Sequence, residues 1–196
     1  LPAWRVAIDE KLPNRSEIAL AALGEHAEAG DSVRLLAHLE HPKARLRAMA
    51  LRGLARTGSP DLASILKTAL FDPSARVVEQ AVRLIEHSGE AIDRSSLEAA
   101  YERASSARLR AVYVRAARLL AQWESLEVLL AWAGETDAET FLVVMQEIER
   151  WRRFQNRRFA PLPDDARAAL MGRLTAVGAR RPSRVWEGFE DVLRPL

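Results

Sequence analysis

The stretch "ARLRAMALRGLA", residues 44–55, returns sixty-three positions later as "ARLRAVYVRAAR", residues 107–118. Ala44, Arg45, Leu46, Arg47, Ala48 and Arg52 recur as Ala107, Arg108, Leu109, Arg110, Ala111 and Arg115. A middle copy, "DPSARVVEQAVRLI" at 72–85, aligns with "HPKARLRAMALRGL" at 41–54 at an offset of 31. Pro42 then falls on Pro73, Arg45 on Arg76, Ala50 on Ala81, Arg52 on Arg83 and Leu54 on Ile85. The next offset is 32 and brings Arg108 and Arg115 into the same two columns. A weaker first copy, "EIALAALGEHA" at 17–27, puts Ala19 and Leu23 under Ala50 and Leu54. Four units at a period near 31–32 make a repeat array, in which each unit must bury its apolar face on its neighbours.

Each unit reads as two helices. Leu46, Ala50 and Leu54 fall on one stripe of a 3.6-residue helix. Pro42 and Pro73 suit first-turn positions, where a missing N–H costs nothing, and Asp72 suits the N-cap before them. "TGSP" at 57–60 closes one helix and opens the next, with Ser59 as cap and Pro60 in the first turn. The second helices are expected near 31–40, 60–71, 95–104 and 125–134. No segment alternates with period two, so no sheet is expected.

The tract [D/H]-P-x-x-x-[V/L]-R-x-x-A-x-x-x-L, followed by a second helix, resembles a HEAT-like, armadillo-type repeat. Residues 41–54 match it fully and 72–85 less so, within a resemblance spanning roughly 14–135. The resemblance implies an all-α fold, a right-handed α-solenoid of about four to five helix pairs. It also implies a ladder of arginine and aspartate between repeats. The family's arginine falls on Arg47 and Arg110, but Val78 and Ser16 stand in the other copies. The aspartate survives as Asp72 alone, so the ladder is expected to be incomplete.

Residues 136–196 depart from the period. "DAETFLVVMQEIERWRRFQ" is a longer helix with Phe141, Val144, Met145 and Ile148 at core spacing. "NRRFAPLPDD" reads as a loop, and Asp164 and Asp165 open a helix that ends near Arg180 and Arg181, the charge order the helix dipole favours. A last short helix near 183–193 carries Trp186, Phe189 and Leu193. We therefore read 1–135 as the array and 136–196 as a C-terminal helical cap packed on it, in one continuous domain.

The totals set outer bounds. The chain has 196 residues, 48% hydrophobic and 29% charged, which suits a folded domain with a real core. Its 29 basic and 27 acidic residues leave a formal charge of +2, so bulk charge does not mark a nucleic-acid binder. The absence of cysteine excludes disulfides, thiolate metal sites and cysteine nucleophiles, and a cytoplasmic location is expected. No apolar stretch approaches the ~20 residues that span a bilayer, so no membrane insertion is expected. The opening "LPAWR" carries no methionine or signal-like segment and points to a piece of a longer protein.

The distribution of charge is more informative. Arg45 and Arg52, seven apart, lie about 20° from each other on a helix, well away from the apolar stripe. Arg76 and Arg83, and Arg108 and Arg115, repeat that geometry. Stacked repeats would align them as two short rows fit for a carboxylate- or phosphate-bearing partner, although surface arginines also serve simply to solubilise. The second helices lean acidic. A second basic cluster is "RWRRFQNRRF", with Arg150, Arg152, Arg153, Arg157 and Arg158 around Trp151, Phe154 and Phe159. Arginine interleaved with aromatics can hold nucleic acid by phosphate contact and stacking, while at helical spacing the same aromatics make core. His38 and His41 are a metal pair without a marked third ligand, and His41 also suits a cap on the next helix.

Repeats of this kind mostly serve as recognition scaffolds. The first expectation is a non-catalytic scaffold that binds another protein, one with an acidic surface to suit the arginine rows, with no cofactor, metal or catalytic residue. The alternative is a nucleic-acid-binding relative of the HEAT-like alkylpurine DNA glycosylases. That resemblance calls for a catalytic aspartate beside aromatics in a basic concave groove, and Trp123, Trp132 and Asp137 are the candidates. A HEAT-like lyase subunit acting on a tetrapyrrole is a third class, without a diagnostic residue here. The first two readings part at 150–158. Nucleic-acid binding needs this segment exposed beside a basic groove. A protein scaffold needs its aromatics buried and an exposed apolar patch elsewhere.

Overall fold

The computed structural model describes residues 3–9, 16–155, 162, 164–181, 183–186 and 189. Among these the regular structure is entirely helical. The chain divides into two compact units, Leu1–Ala91 and Ile92–Leu196.

In the first unit, α1 (Ala3–Asp9) packs on α2 (Ser16–His26). Then follow α3 (Ser32–Leu36), α4 (Ala44–Thr57), α5 (Leu62–Ala69) and α6 (Ala75–Ser88). The first helices α2, α4 and α6 lie side by side, while α3 packs against α4 and α5 against α6. This two-layer arrangement of helix pairs is that of an α-solenoid. The expected stripe is the core: Leu46, Ala50 and Leu54 are buried, as are Ala19, Leu20 and Leu23 on α2 and Val77, Ala81 and Ile85 on α6. Each fully buried leucine contributes about 1.5–3 kcal/mol from burial alone. Because α4 has helices on both flanks as well as beneath, Ala48 and Leu51 are buried too. Its exposed strip narrows to Arg45, Arg52 and Arg56.

Several helix ends differ from expectation. α4 and α6 begin at Ala44 and Ala75, with Lys43 and Ser74 as N-caps, so Pro42 and Pro73 precede the caps. Asp72 is not the cap because its carboxylate is committed to Arg47 and to the Ser74 N–H. α5 begins at Leu62 with Asp61 as N-cap, displacing Ser59 and Pro60 from those roles, after Gly58 closes α4 in the left-handed region at φ 66°. The second helix expected over 31–40 is only five residues of α-helix, Ser32–Leu36. Beyond it, His38 and Leu39 make tighter bonds to Leu35 and Leu36, and His38 Nδ1 meets the Arg34 carbonyl at 2.8 Å.

The second unit holds α7 (Arg94–Glu102), α8 (Ala107–Ala116), α9 (Gln122–Glu135), α10 (Ala138–Gln155) and α11 (Asp164–Arg180). α10 packs beside α8 and on α9, and α11 packs beside α9. The pair α10–α11 thus takes the first-helix and second-helix places of the repeat despite its aperiodic sequence. Its core is Val144, Met145, Ile148, Trp151, Leu170, Leu174 and Val177, while Phe141 is half-buried under the Arg181 guanidinium, 4.6 Å from the ring centre. Phe189 is buried against Trp151 and Trp186. Leu193 and most of the loop 156–163 lie outside the described residues. α8 stops four residues short of the length of α4 and continues as a 3-10 turn, Ala117–Leu119. On its stripe Tyr113 and Ala117, both buried, replace Ala50 and Leu54, so volume added at one turn is removed at the next.

Candidate functional site

Arg47 on α4 crosses to the segment ahead of α6. Its Nε donates to Asp72 Oδ2 at 2.7 Å and its Nη2 to Oδ1 at 2.8 Å. Its Nη1 donates to the His41 carbonyl at 2.7 Å and the Pro42 carbonyl at 3.1 Å. The two side chains are only 13% and 12% exposed, and the fork-to-fork geometry is the strong form of this pair. Beside it lies a groove of about 440 Å³ whose walls are Leu39, Leu51, Ile65, Ala69, Phe71 and Val77. Glu40, Ser64 and Thr68 are its other polar lining residues. The Thr68 hydroxyl already donates to the Ser64 carbonyl at 3.1 Å. Phe71, directly after α5 and Leu70, is 40% exposed. Nearby on the sequence, Val33 and Leu36 on α3 are 78% and 40% exposed. The groove falls within the usual ligand-pocket range of about 300–1,000 Å³ and its lining is mostly apolar.

Two further rungs resemble Arg47–Asp72. Arg5 Nε and Nη2 reach Asp31 at 2.9 and 2.8 Å, and Arg110 Nη2 reaches Asp137 at 3.2 Å. Asp137 also caps α10, accepting from the Thr140 N–H and hydroxyl at 2.9 Å each. The aspartate column of the repeat marked only Asp72. The signal for the others is an aspartate at the start of a helix or turn, 25 to 27 residues after an arginine.

Two carboxyls titrate in opposite directions. Burial pushes Asp31 upward, but the hydrogen bonds from Arg5 and the Glu28 N–H outweigh it and hold the carboxyl below its ordinary range. Burial raises Glu147, and the attraction of Arg150, Arg118 and Arg115 only partly opposes that rise. Asp31 therefore contributes stability above the ordinary carboxylate pKa of about 3.9 and loses it as pH falls through its lowered native value. Glu147 has the reverse sign and disfavours the fold as pH rises through its raised value. Accordingly, Asp31→Asn should lower the urea midpoint at pH 7, with the gap to the unsubstituted chain closing below about pH 4. A gap that stays constant from pH 7 to 3 would show that the Asp31 charge is not its source.

The arginine columns are exposed: Arg45, Arg52, Arg76 and Arg83 in the first unit, Arg108 and Arg115 in the second. Arg52 and Arg56 meet Glu25 of α2 at 2.6 and 3.7 Å, and Lys43 pairs with Glu17. Arg45, Arg76, Arg83 and Arg108 have no ion-pair partner among the described residues. In the second basic cluster, Trp151 is buried and its indole N–H donates to the Gln122 carbonyl at 2.9 Å. Arg150 pairs with Glu147 at 3.0 Å, Arg153 pairs with Glu149, and Arg152 is half-buried. Arg157, Arg158 and Phe159 lie outside the described residues.

Trp132 stacks on Tyr101 at 4.1 Å and Asp137 follows at the end of α9. Trp123 lies instead against Trp151 at 5.5 Å, nine residues and so about 13 Å of helix rise from Trp132. The His38 and His41 rings are stacked 6.2 Å apart, and His41 Nδ1 accepts the Lys43 N–H at the start of α4. Among the described residues no three His, Asp or Glu side chains are grouped to hold a metal ion. No described helix is long and apolar enough to cross a membrane.

Comparison with known proteins agrees with this geometry. No curated protein and no solved structure matches the chain. The family model for HEAT repeats matches residues 31–118, which include the three clear copies and the Arg47–Asp72 rung. Residues 31–118 are thus similar to HEAT repeats, a class that commonly mediates protein–protein interaction.

Proposed function

We propose that this chain is a non-catalytic scaffold that docks another protein in the groove between α4, α5 and the turn after α3. The observation that carries the reading is the coincidence of an apolar groove with an exposed Phe71 on a repeat whose ion pair is already satisfied internally. Burial of Trp151 supports it too, since nucleic-acid binding through that segment needs the ring available for stacking. Within the first unit, Arg45, Arg76 and Arg83 serve as a second contact for an acidic surface. In this reading α10 and α11 close the array.

A selection of displayed random peptides on the chain tests this. Enriched peptides should lose affinity about tenfold or more on Thr68→Trp, which places a bulky ring across the groove from an exposed position on α5. Peptides that bind both chains equally, or no enrichment at all, would remove the groove as the docking face.

A further inference from the structure

Resting on that reading, we infer that the groove takes a partner segment bearing a large apolar side chain flanked within one helical turn by lysine or arginine. The charge arithmetic of the lining points to this ligand. Arg47, the one cation among the described lining residues, already donates four of its five N–H groups to Asp72, His41 and Pro42, and its charge is balanced by Asp72. Asp72 is likewise spent on Arg47 and Ser74. Glu40 is the lining charge left over. It is exposed and has no ion-pair partner among the described residues.

The backbone adds to the same sign. Thr68 and Ala69 line the groove from the last turn of α5, an eight-residue helix, and Phe71 follows its end. A helix C-terminus carries partial negative charge and favours a cation. With a spare carboxylate and a helix C-terminus among lining residues that are otherwise mostly aliphatic, an anionic segment is repelled. A wholly apolar one leaves Glu40 desolvated without a partner, which is unfavourable. An apolar anchor beside a cation suits both the aliphatic and the negative part of the lining.

The test uses two fluorescein-labelled twelve-residue amphipathic peptides with the same leucines and one tryptophan, one carrying lysines and the other glutamates. Anisotropy is read with the full chain and with Glu40→Lys and Phe71→Ser, both at exposed positions and each checked by circular dichroism. The lysine peptide should bind at least about tenfold more tightly than the glutamate peptide. Glu40→Lys should invert that preference, and Phe71→Ser should weaken the lysine peptide by a similar factor. An unchanged preference in Glu40→Lys, with binding still lost in Phe71→Ser, overturns the charge inference and leaves the docking reading standing. Binding indifferent to Phe71→Ser, or no binding of either peptide, overturns the inference and counts against the groove itself.

Discussion

Asp72→Ala is expected to lower the stability of the chain by about 2–3 kcal/mol, read as a reduced urea midpoint at pH 7. The loss has two parts. The Arg47 guanidinium, 13% exposed, is left with two donors facing an emptied position, and the Ser74 N–H ahead of α6 loses its acceptor. The first part should dominate, because a charged donor stranded away from water costs more than a frayed helix start. That ordering can be separated. Adding Arg47→Met to Asp72→Ala removes the stranded charge while keeping the packing of the stem. It should recover more than half the loss, since replacing both members of a buried pair is often near neutral. A loss below about 0.5 kcal/mol for Asp72→Ala would mean that apolar packing alone holds α4 and the start of α6 together.

Gly53→Val is expected to cost about 3 kcal/mol, the upper end of overpacking effects. A β-carbon at 53 would stand 2.8 and 2.9 Å from the two Leu35 methyls and 3.3 Å from the Leu23 carbonyl oxygen. Leu35 is fully buried, so it cannot swing into solvent to make room. Gly53→Ala is the informative partner. Its helix propensity favours it by about 1 kcal/mol, while overpacking opposes it by about 1–3 kcal/mol. A small net loss is therefore expected for alanine and a much larger one for valine, which adds two methyls and a stiff χ1. If alanine were stabilising by its full propensity, the fit of Leu35 over α4 would be looser than the distances state. The two substitutions can be compared by thermal and urea unfolding of the same chain.

How much of this was legible in the residues differs from element to element. The helix over 44–57 and the burial of Leu46, Ala50 and Leu54 follow from spacing, because a 3.6-residue stripe admits one face. That the chain is a series of helix pairs follows from the period. The short α3 was not legible, since its end depends on His38 bonding back to the Arg34 carbonyl and on Leu35 entering the gap left by Gly53. Nor did the weak periodicity of 136–180 say that α10 and α11 would occupy repeat places, because those places are defined by which helices they touch.

The candidate groove was the least legible part. Glu40 and Phe71 occupy equivalent positions in successive repeats, the residue just before His41 and just before Asp72. They lie one residue ahead of the aligned copies, and the repeat spacing does not say which way they face. The arginine columns were plain in the sequence, whereas the engagement of Arg52 by Glu25 was not, since 27 residues separate them. Local spacing along one helix settled period, helix faces and the recurring apolar stripe, because those depend on neighbours three or four residues apart. The rungs Arg5–Asp31, Arg47–Asp72 and Arg110–Asp137, the tight seat of Leu35 on Gly53 and the spare carboxylate of Glu40 needed tertiary structure. Each rests on an approach between chain segments distant in sequence, and only the packing of neighbouring helices brings such segments within hydrogen-bonding or contact range.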